Sequence, residues 1–241
     1  METDKIYLGD ANKLIKDIQD KSIDLIVTDP PYEIYGLHAA GICKDRHYLK
    51  QLQDGKLGSS FDMSILNEFV RVMKKINLYI WCNKEQIYDY LTFFVKERGC
   101  NFETIIWAKD NPPPFLNGHY LKDKEYCLYF WEQGVKVHPR FSTGKTVYVT
   151  PLNMEDKKKY AHPTIKPLNI VENMVENSSN EDELVLDPFS GSGTSCVAAK
   201  ELGRHYIGFE IEPKWWKVSV DRLNGATKKE MDAGFVQERL F

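Results

Sequence analysis

The sequence predicts an α/β fold built on a mostly parallel sheet with helices on both faces. Three observations carry the prediction. Short apolar runs alternate with helical stretches along the 241 residues, and strands that alternate with helices assemble as parallel sheets. The run Leu25-Ile26-Val27 lies between Asp24 and a proline turn with no polar break, as a strand buried on both faces requires. A second run, Leu184-Val185-Leu186, leads into a glycine-rich turn that opens a helix. The length fits one domain, spanning 1–241, with room for a small insertion.

Taken in order, residues 5–9 read as a strand and 11–18 as a short helix. Residues 24–28 are the buried strand. Residues 63–75 are amphipathic, with Ile65, Leu66, Phe69, Val70 and Met73 at helical spacing. Residues 78–82 form a strand, and 85–98 a helix that Gly99 can end. Residues 102–108 and 125–131 are further strands. Pro167 opens a helix over 167–176. A strand–helix–strand unit follows over 184–186, 194–202 and 205–211, and a last helix covers 213–223. Three stretches break the alternation, at about 33–60, 110–124 and 132–161. They are rich in Gly, Pro, Lys and Asn, and loops of this length are functional or disordered.

The bulk properties narrow the function classes. A net charge of −3 argues against a basic polymer-coating binder of nucleic acid, but it permits an enzyme with one basic face. No apolar run approaches the ~18 residues that span a membrane, and the first residues lack a signal-peptide core. A cytoplasmic location is the expectation. Cys43, Cys82, Cys100, Cys127 and Cys196 are scattered and form no CxxC pair, so neither a disulfide framework nor a metal site is expected.

Two turns carry the chemistry. The first is Asp187-Pro188-Phe189-Ser190-Gly191-Ser192-Gly193-Thr194, between a buried strand and a helix. Its glycines let backbone approach a ligand closely, and the helix start offers free N–H groups. Glu210, at the end of the next strand, can accept hydrogen bonds from both hydroxyls of a ribose. Cys196 stands where a nicotinamide site needs its third glycine. Asp187 suits a ligand bearing an ammonium or sulfonium rather than a pyrophosphate. The second turn is Asp29-Pro30-Pro31-Tyr32. Its prolines fix φ and remove two donors, presenting the Asp29 carboxylate and the Pro30 carbonyl together. Two acceptors in one place suit an amino group with two N–H bonds, and Tyr32 can stack on the ring that carries it.

With these residues the chain resembles the amino-methyltransferases of DNA. In that family a DPPY tetrad, here Asp29, Pro30, Pro31 and Tyr32, holds the target adenine. A D-P-F-x-G-S-G-T run, here Asp187, Phe189, Ser190, Gly191, Gly193 and Thr194, holds S-adenosylmethionine. The tetrad precedes the cofactor run, which is the order of the beta group. His162-Pro163-Thr164-Ile165-Lys166-Pro167 matches that group's H-P-T-x-K-P segment, and by resemblance His162 and Lys166 line the methionine end of the cofactor pocket. Gly9-Asp10 matches the G-D pair whose acid, with the next backbone N–H at Ala11, meets the cofactor's adenine. Residues 124–130 look like the family's H-E-Y-x-x-x-F strand, with Lys124 for His. For the fold, the resemblance implies a Rossmann-like methyltransferase sheet of seven strands, one of them reversed.

The same resemblance implies methyl transfer to N6 of a flipped-out adenine, with DNA as partner and no metal. Two alternatives stay open. One is N4 of cytosine, whose enzymes more often carry Ser in place of Asp29; the other is a non-catalytic DNA-binding subunit. Lys44 and Arg46 in the loop over 33–60, and Arg140 and Lys145 in the one over 132–161, are candidates for DNA contact beside aromatic neighbours. The loop over 132–161 is short for a target-recognition part, which points to a short site or to help from a second subunit in a homodimer. Gln237, Leu240 and Phe241 form a Q-x-x-L-F ending that resembles sliding-clamp peptides; the alternative is packing on the protein's own surface.

Overall fold

Leu25-Ile26-Val27-Thr28 is buried on both faces, as its unbroken apolar run requires, and lies near the middle of the sheet. The computed structural model describes residues 1–31, 62–114, 116, 120–160, 162 and 164–225. Tyr32, Lys44, Arg46, Gln237, Leu240 and Phe241 lie outside the described residues.

The strands are β1 (Lys5–Leu8), β2 (Leu25–Thr28), β3 (Asn77–Cys82), β4 (Asn101–Lys109), β5 (Lys124–Trp131), β6 (Val147–Thr150), β7 (Leu184–Asp187) and β8 (His205–Glu210). They form one sheet in the order β1-β8-β7-β2-β3-β5-β4-β6. Only β5 is reversed: it pairs antiparallel with β3 and β4, while every other pair is parallel. The resemblance therefore gave the reversed strand correctly but one strand too few. The described residues hold eight strands, and the extra one, β6, extends the edge beyond β4.

The helices are α1 (Ala11–Leu14), α2 (Ile65–Val72), α3 (Ile87–Tyr90), α4 (Met154–Tyr160), α5 (Leu168–Ser178), α6 (Thr194–Glu201) and α7 (Pro213–Leu223). A single 3-10 turn over Ile15–Asp17 extends α1, and a π-helical stretch over Leu91–Lys96 extends α3. Both finish helices that the apolar spacing predicts as continuous. One apolar layer packs α1, α2 and α3 on the sheet through Ile15, Leu66, Phe69 and Phe94. The other packs α5 and α6 on the opposite face through Ile170, Val171, Met174 and Ala198. Trp81 and Trp107 are buried in this second layer, as core positions rather than base-stacking ones.

Because all strands but β5 run one way, their carboxyl ends share one edge of the sheet. That edge gathers the ends of β2, β3, β7 and β8, together with the start of the reversed β5. Open α/β sheets bind ligands at such an edge.

Candidate active site

β2 and β7 are parallel neighbours, with Leu25 opposite Val185 and Ile26 opposite Leu186. Both motif turns therefore leave the same edge side by side, although about 150 residues of chain separate them. The Thr28 hydroxyl ties them, donating to Asp187 Oδ1 at 2.8 Å. Asp29, the next residue, is partly exposed at the rim, while Pro30 is buried.

In the glycine-rich turn, Gly191 and Gly193 have φ of +50° and +77°, where a side chain strains the backbone. Ser190 donates through both its backbone N–H and its hydroxyl to the Phe209 carbonyl, which fastens the loop to β8. The Thr194 hydroxyl accepts from Arg222 at 2.9 Å. Both hydroxyls are thus engaged within the protein, while the backbone of the turn forms the wall of the site.

Glu210 ends β8 and is nearly buried. Its Oε2 accepts from Gly191 N–H and its Oε1 from Glu212 N–H, each at 2.8 Å. Burial pushes its carboxyl up from the ordinary value, and the backbone N–H groups oppose that. Gly9 N–H donates to the Glu210 carbonyl at 2.8 Å, so the end of β1 adjoins. Asp10 caps α1 by accepting from Asn12 N–H at 3.0 Å, and Ala11 is buried. Leu8 and Ile211 stand exposed on either side of this junction.

His162 leans over Gly191: a Cβ added to that glycine would lie 3.2 Å from His162 Nε2. The ring meets Trp215 edge-on at 4.5 Å. Burial, with Lys166, Arg222, Lys214 and Lys157 nearby, pushes the imidazole down to about 3, so it is neutral at physiological pH. Asp187 is buried and accepts from Thr28 and from Phe189 N–H. Burial pushes its carboxyl up to about 7 against those hydrogen bonds.

These residues fit S-adenosylmethionine. Glu210 supplies a fixed carboxylate for ribose hydroxyls, Leu8 and Ile211 give apolar sides for a flat ring, and Gly191 leaves room that a Cβ would take up. Asp187 brings a carboxylate whose ionisation a cationic ligand would favour.

The structure departs from the expected placement of two residues. Lys166 points to Asp29, with Nζ 2.6 Å from Asp29 Oδ2, rather than standing only beside His162. Arg140 is not brought to this edge. His138 N–H donates to the Asn177 carbonyl, and Arg140 pairs with Glu176 at 2.8 Å, both at the end of α5 beside Asn77. Asn77 begins β3, and that strand's six residues put about 20 Å between the two ends. Lys145 is exposed two residues before β6 begins.

Sequence reasoning placed Glu125 only within a strand motif, without a site role, and missed Lys109, Tyr160 and Arg222. Glu125 pairs with Lys166 at 3.0 Å and Lys109 at 2.5 Å. Arg222 is buried beneath Tyr160, 4.7 Å from its ring, and so ties α4 to the glycine-rich turn. A charged residue on the inward side of an amphipathic helix was the one signal available for Arg222.

A family model for DNA methylases matches residues 23–221. The chain belongs to this family. The methylase is 31% identical over 242 residues to the Type II methyltransferase M2.LlaDCHI of Lactococcus lactis subsp. cremoris, covering 91% of this chain and 89% of that protein. It is 28% identical to the Type II methyltransferase M2.MboI of Moraxella bovis, covering 92% of this chain and 88% of the other. Among solved structures, the M1.HpyAVI–SAM complex superimposes with a TM-score of 0.68 at 26% identity, covering 91% of this chain and 98% of that one. The cytosine-N4-specific PvuII methyltransferase, at 18% identity, shares the fold with a TM-score of 0.70 over 97% of this chain and 91% of its own. The methylase is an S-adenosylmethionine-dependent DNA methyltransferase. Among the described residues, no helix is long and apolar enough to cross a membrane.

Proposed function

We propose that this methylase transfers a methyl group to N6 of adenine within a short DNA site, as the modification enzyme of a restriction–modification system. The observation that carries the reading is the meeting of Asp29 with the glycine-rich turn at one sheet edge, joined through Thr28 and Asp187. The fold is shared with a cytosine-N4 enzyme and so does not choose the base; the carboxylate at position 29 does.

Bound at Glu210, Asp187 and the Gly191 turn, S-adenosylmethionine supplies a methyl group already activated by a sulfonium. The protein's work is positioning. The lone pair of adenine N6 is delocalised into its ring, so the amine reacts poorly until its hydrogens are held. The Asp29 carboxylate and the Pro30 carbonyl accept hydrogen bonds from those two N–H groups and favour a tetrahedral nitrogen. That nitrogen releases one proton to water once the methyl group has moved to it from sulfur. Such alignment is worth up to about 7–11 kcal/mol in ideal cases, and the Asp29 charge stabilises positive charge growing on nitrogen. The base leaves the duplex to reach this edge, and Tyr32 replaces roughly 1–3 kcal/mol of lost stacking.

Phosphate contacts fall to Lys158 and Lys159, exposed on α4 near the same edge, and, from the sequence alone, to Lys44 and Arg46. A second subunit completing recognition, and a clamp contact through Gln237, Leu240 and Phe241, go with this reading. Deleting the last five residues and testing clamp pull-down checks the latter. The deciding experiment is transfer of radiolabelled methyl to DNA followed by nucleoside analysis. Label in N6-methyladenine is expected. Label in N4-methylcytosine transfers the reading to the other base, and no label despite cofactor binding leaves a non-catalytic subunit.

A further inference from the structure

A chain of alternating charges runs from Asp29 at the rim of the site through the buried Lys166 to Glu125 and Lys109. Lys166 Nζ lies 2.6 Å from Asp29 Oδ2 and 3.0 Å from Glu125 Oε2. Glu125 Oε1 in turn lies 2.5 Å from Lys109 Nζ. The Lys166 side chain is only 6% exposed, and its ammonium sits 5.1 Å from the Trp81 ring centroid, whose face attracts a cation. Four elements make the arrangement: the end of β2, the end of β4, the first residues of the reversed β5, and the segment leading into α5.

A buried ion pair is by itself weak evidence for a role in stability. Taking a lysine out of water costs several kcal/mol, and apolar residues of similar volume often replace buried ion pairs with no loss of stability. A buried ammonium aimed at a carboxylate on the rim of the site has a functional rationale instead. We propose that Lys166, oriented by Glu125, is a positioning residue for methyl transfer, holding the Asp29 carboxylate ionised and fixing its direction. The inference rests on Asp29 being the acceptor of the amine hydrogens.

The physics follows from charge. An ammonium in contact with a carboxylate favours its ionised form, so Lys166 opposes the repulsion that Asp187 adds from β7 and keeps Asp29 an acceptor in acid. Cys82 and Cys127, the thiols facing it from β3 and β5, stay neutral because burial pushes both up. Glu125 in turn favours the ionised form of Lys166. Attraction from Asp29 and Glu125 outweighs burial and raises the ammonium's affinity for its proton. Burial alone would raise the Glu125 carboxyl, but Lys166 and Lys109 hold it down at about 2. Glu125 therefore stays charged throughout the working range of pH. Its second oxygen is taken by Lys109, which leaves Oε2 to direct Lys166.

The test uses Lys166→Met, Lys166→Arg and Glu125→Gln in the full chain. Two quantities are measured: single-turnover transfer of radiolabelled methyl to DNA across the acid and neutral range, and cofactor affinity by fluorescence titration. Lys166→Met is expected to lower the rate roughly a hundredfold while cofactor affinity holds. It should also move the acid limb of the rate profile upward by about one to three pH units, the reach of one contacting opposite charge. Lys166→Arg keeps the wild-type limb. Glu125→Gln removes a negative charge from the same chain, so it lowers the rate without moving the limb upward.

An unmoved limb in Lys166→Met overturns the inference, however far the rate falls. So does a loss confined to cofactor affinity, which would place Lys166 at the methionine end of the cofactor. If circular dichroism shows Lys166→Met unfolded, Glu125→Gln decides: an upward limb, or an unchanged rate, overturns the proposal. The label counts methyl groups on any base. An error in the adenine reading would therefore appear in the wild-type nucleoside analysis and leave these shifts intact.

Discussion

At the scale of single residues, Asp29 and Asp187 are carboxylates on neighbouring strand ends with opposite surroundings. Asp29 touches an ammonium and is partly exposed. Asp187 is buried with only neutral donors in contact, and Asp29 nearby adds repulsion. Asp29→Ala should abolish methyl transfer while cofactor still binds in a titration; retained turnover would remove its role. Tyr32→Phe should keep much of the activity and Tyr32→Ala lose most of it, because stacking needs the ring and not the hydroxyl. The Asp187 carboxyl, pushed up to about 7 by burial, makes a pH prediction. Below pH ~4 both folded and unfolded chains hold the proton. Between pH ~4 and ~7 the unfolded chain releases it while the folded chain keeps it, so free-protein stability falls as pH rises, by roughly 4 kcal/mol at most. A cationic ligand beside Asp187 favours the ionised form, so cofactor affinity should rise over the same window. Asp187→Asn should flatten both trends in thermal melts with and without cofactor.

Elements decide which of these residues can meet. The two motif turns were legible because each follows an unbroken apolar run, the mark of a buried parallel strand; that β2 and β7 are neighbours comes from the sheet order. The Glu125–Lys166–Asp29 chain was not legible. It exists because β5 is reversed between β3 and β4, which brings its first residues to the edge where β2 ends, and no local pattern encodes that order. Nor did β6 and α4 announce themselves within 132–161. β6 is a four-residue edge strand with Val147 and Val149 exposed, and α4, Met-Glu-Asp-Lys-Lys-Lys-Tyr, buries no residue and so shows no apolar stripe. The glycine-rich turn gives the test at this scale. A Cβ at Gly193 would lie 2.9 Å from Ser219 Cβ on α7, at a φ of +77°. Gly193→Ala should therefore cost about 1–3 kcal/mol in denaturant unfolding. At Gly191 the added Cβ would meet the tip of the His162 ring at 3.2 Å, which can shift, so Gly191→Ala should cost less stability than Gly193→Ala.

For the whole molecule, the net charge of −3 means that DNA must be met by a local basic surface rather than by the average. The site edge offers one on α4. Lys158 and Lys159 are exposed there, while Lys157 is half-buried toward Glu125, Lys109 and Lys166. Arg140 lies at the other end of the sheet with its guanidinium on Glu176. A duplex presenting a base to Asp29 lies across the carboxyl edge, so α4 and Arg140 should differ sharply in their effect on binding. Each phosphate neutralised contributes about 0.9 to the slope of log affinity against log salt. The double variant Lys158→Ala, Lys159→Ala should shallow that slope by up to about 2 and weaken binding to all sequences alike, because phosphate contacts carry no base identity. Arg140→Ala should leave slope and affinity unchanged. Fluorescence anisotropy with a labelled duplex over a salt series measures both. A slope that falls equally for Arg140→Ala would mean that the duplex reaches around to the far end of the sheet, and the binding face would have to be redrawn.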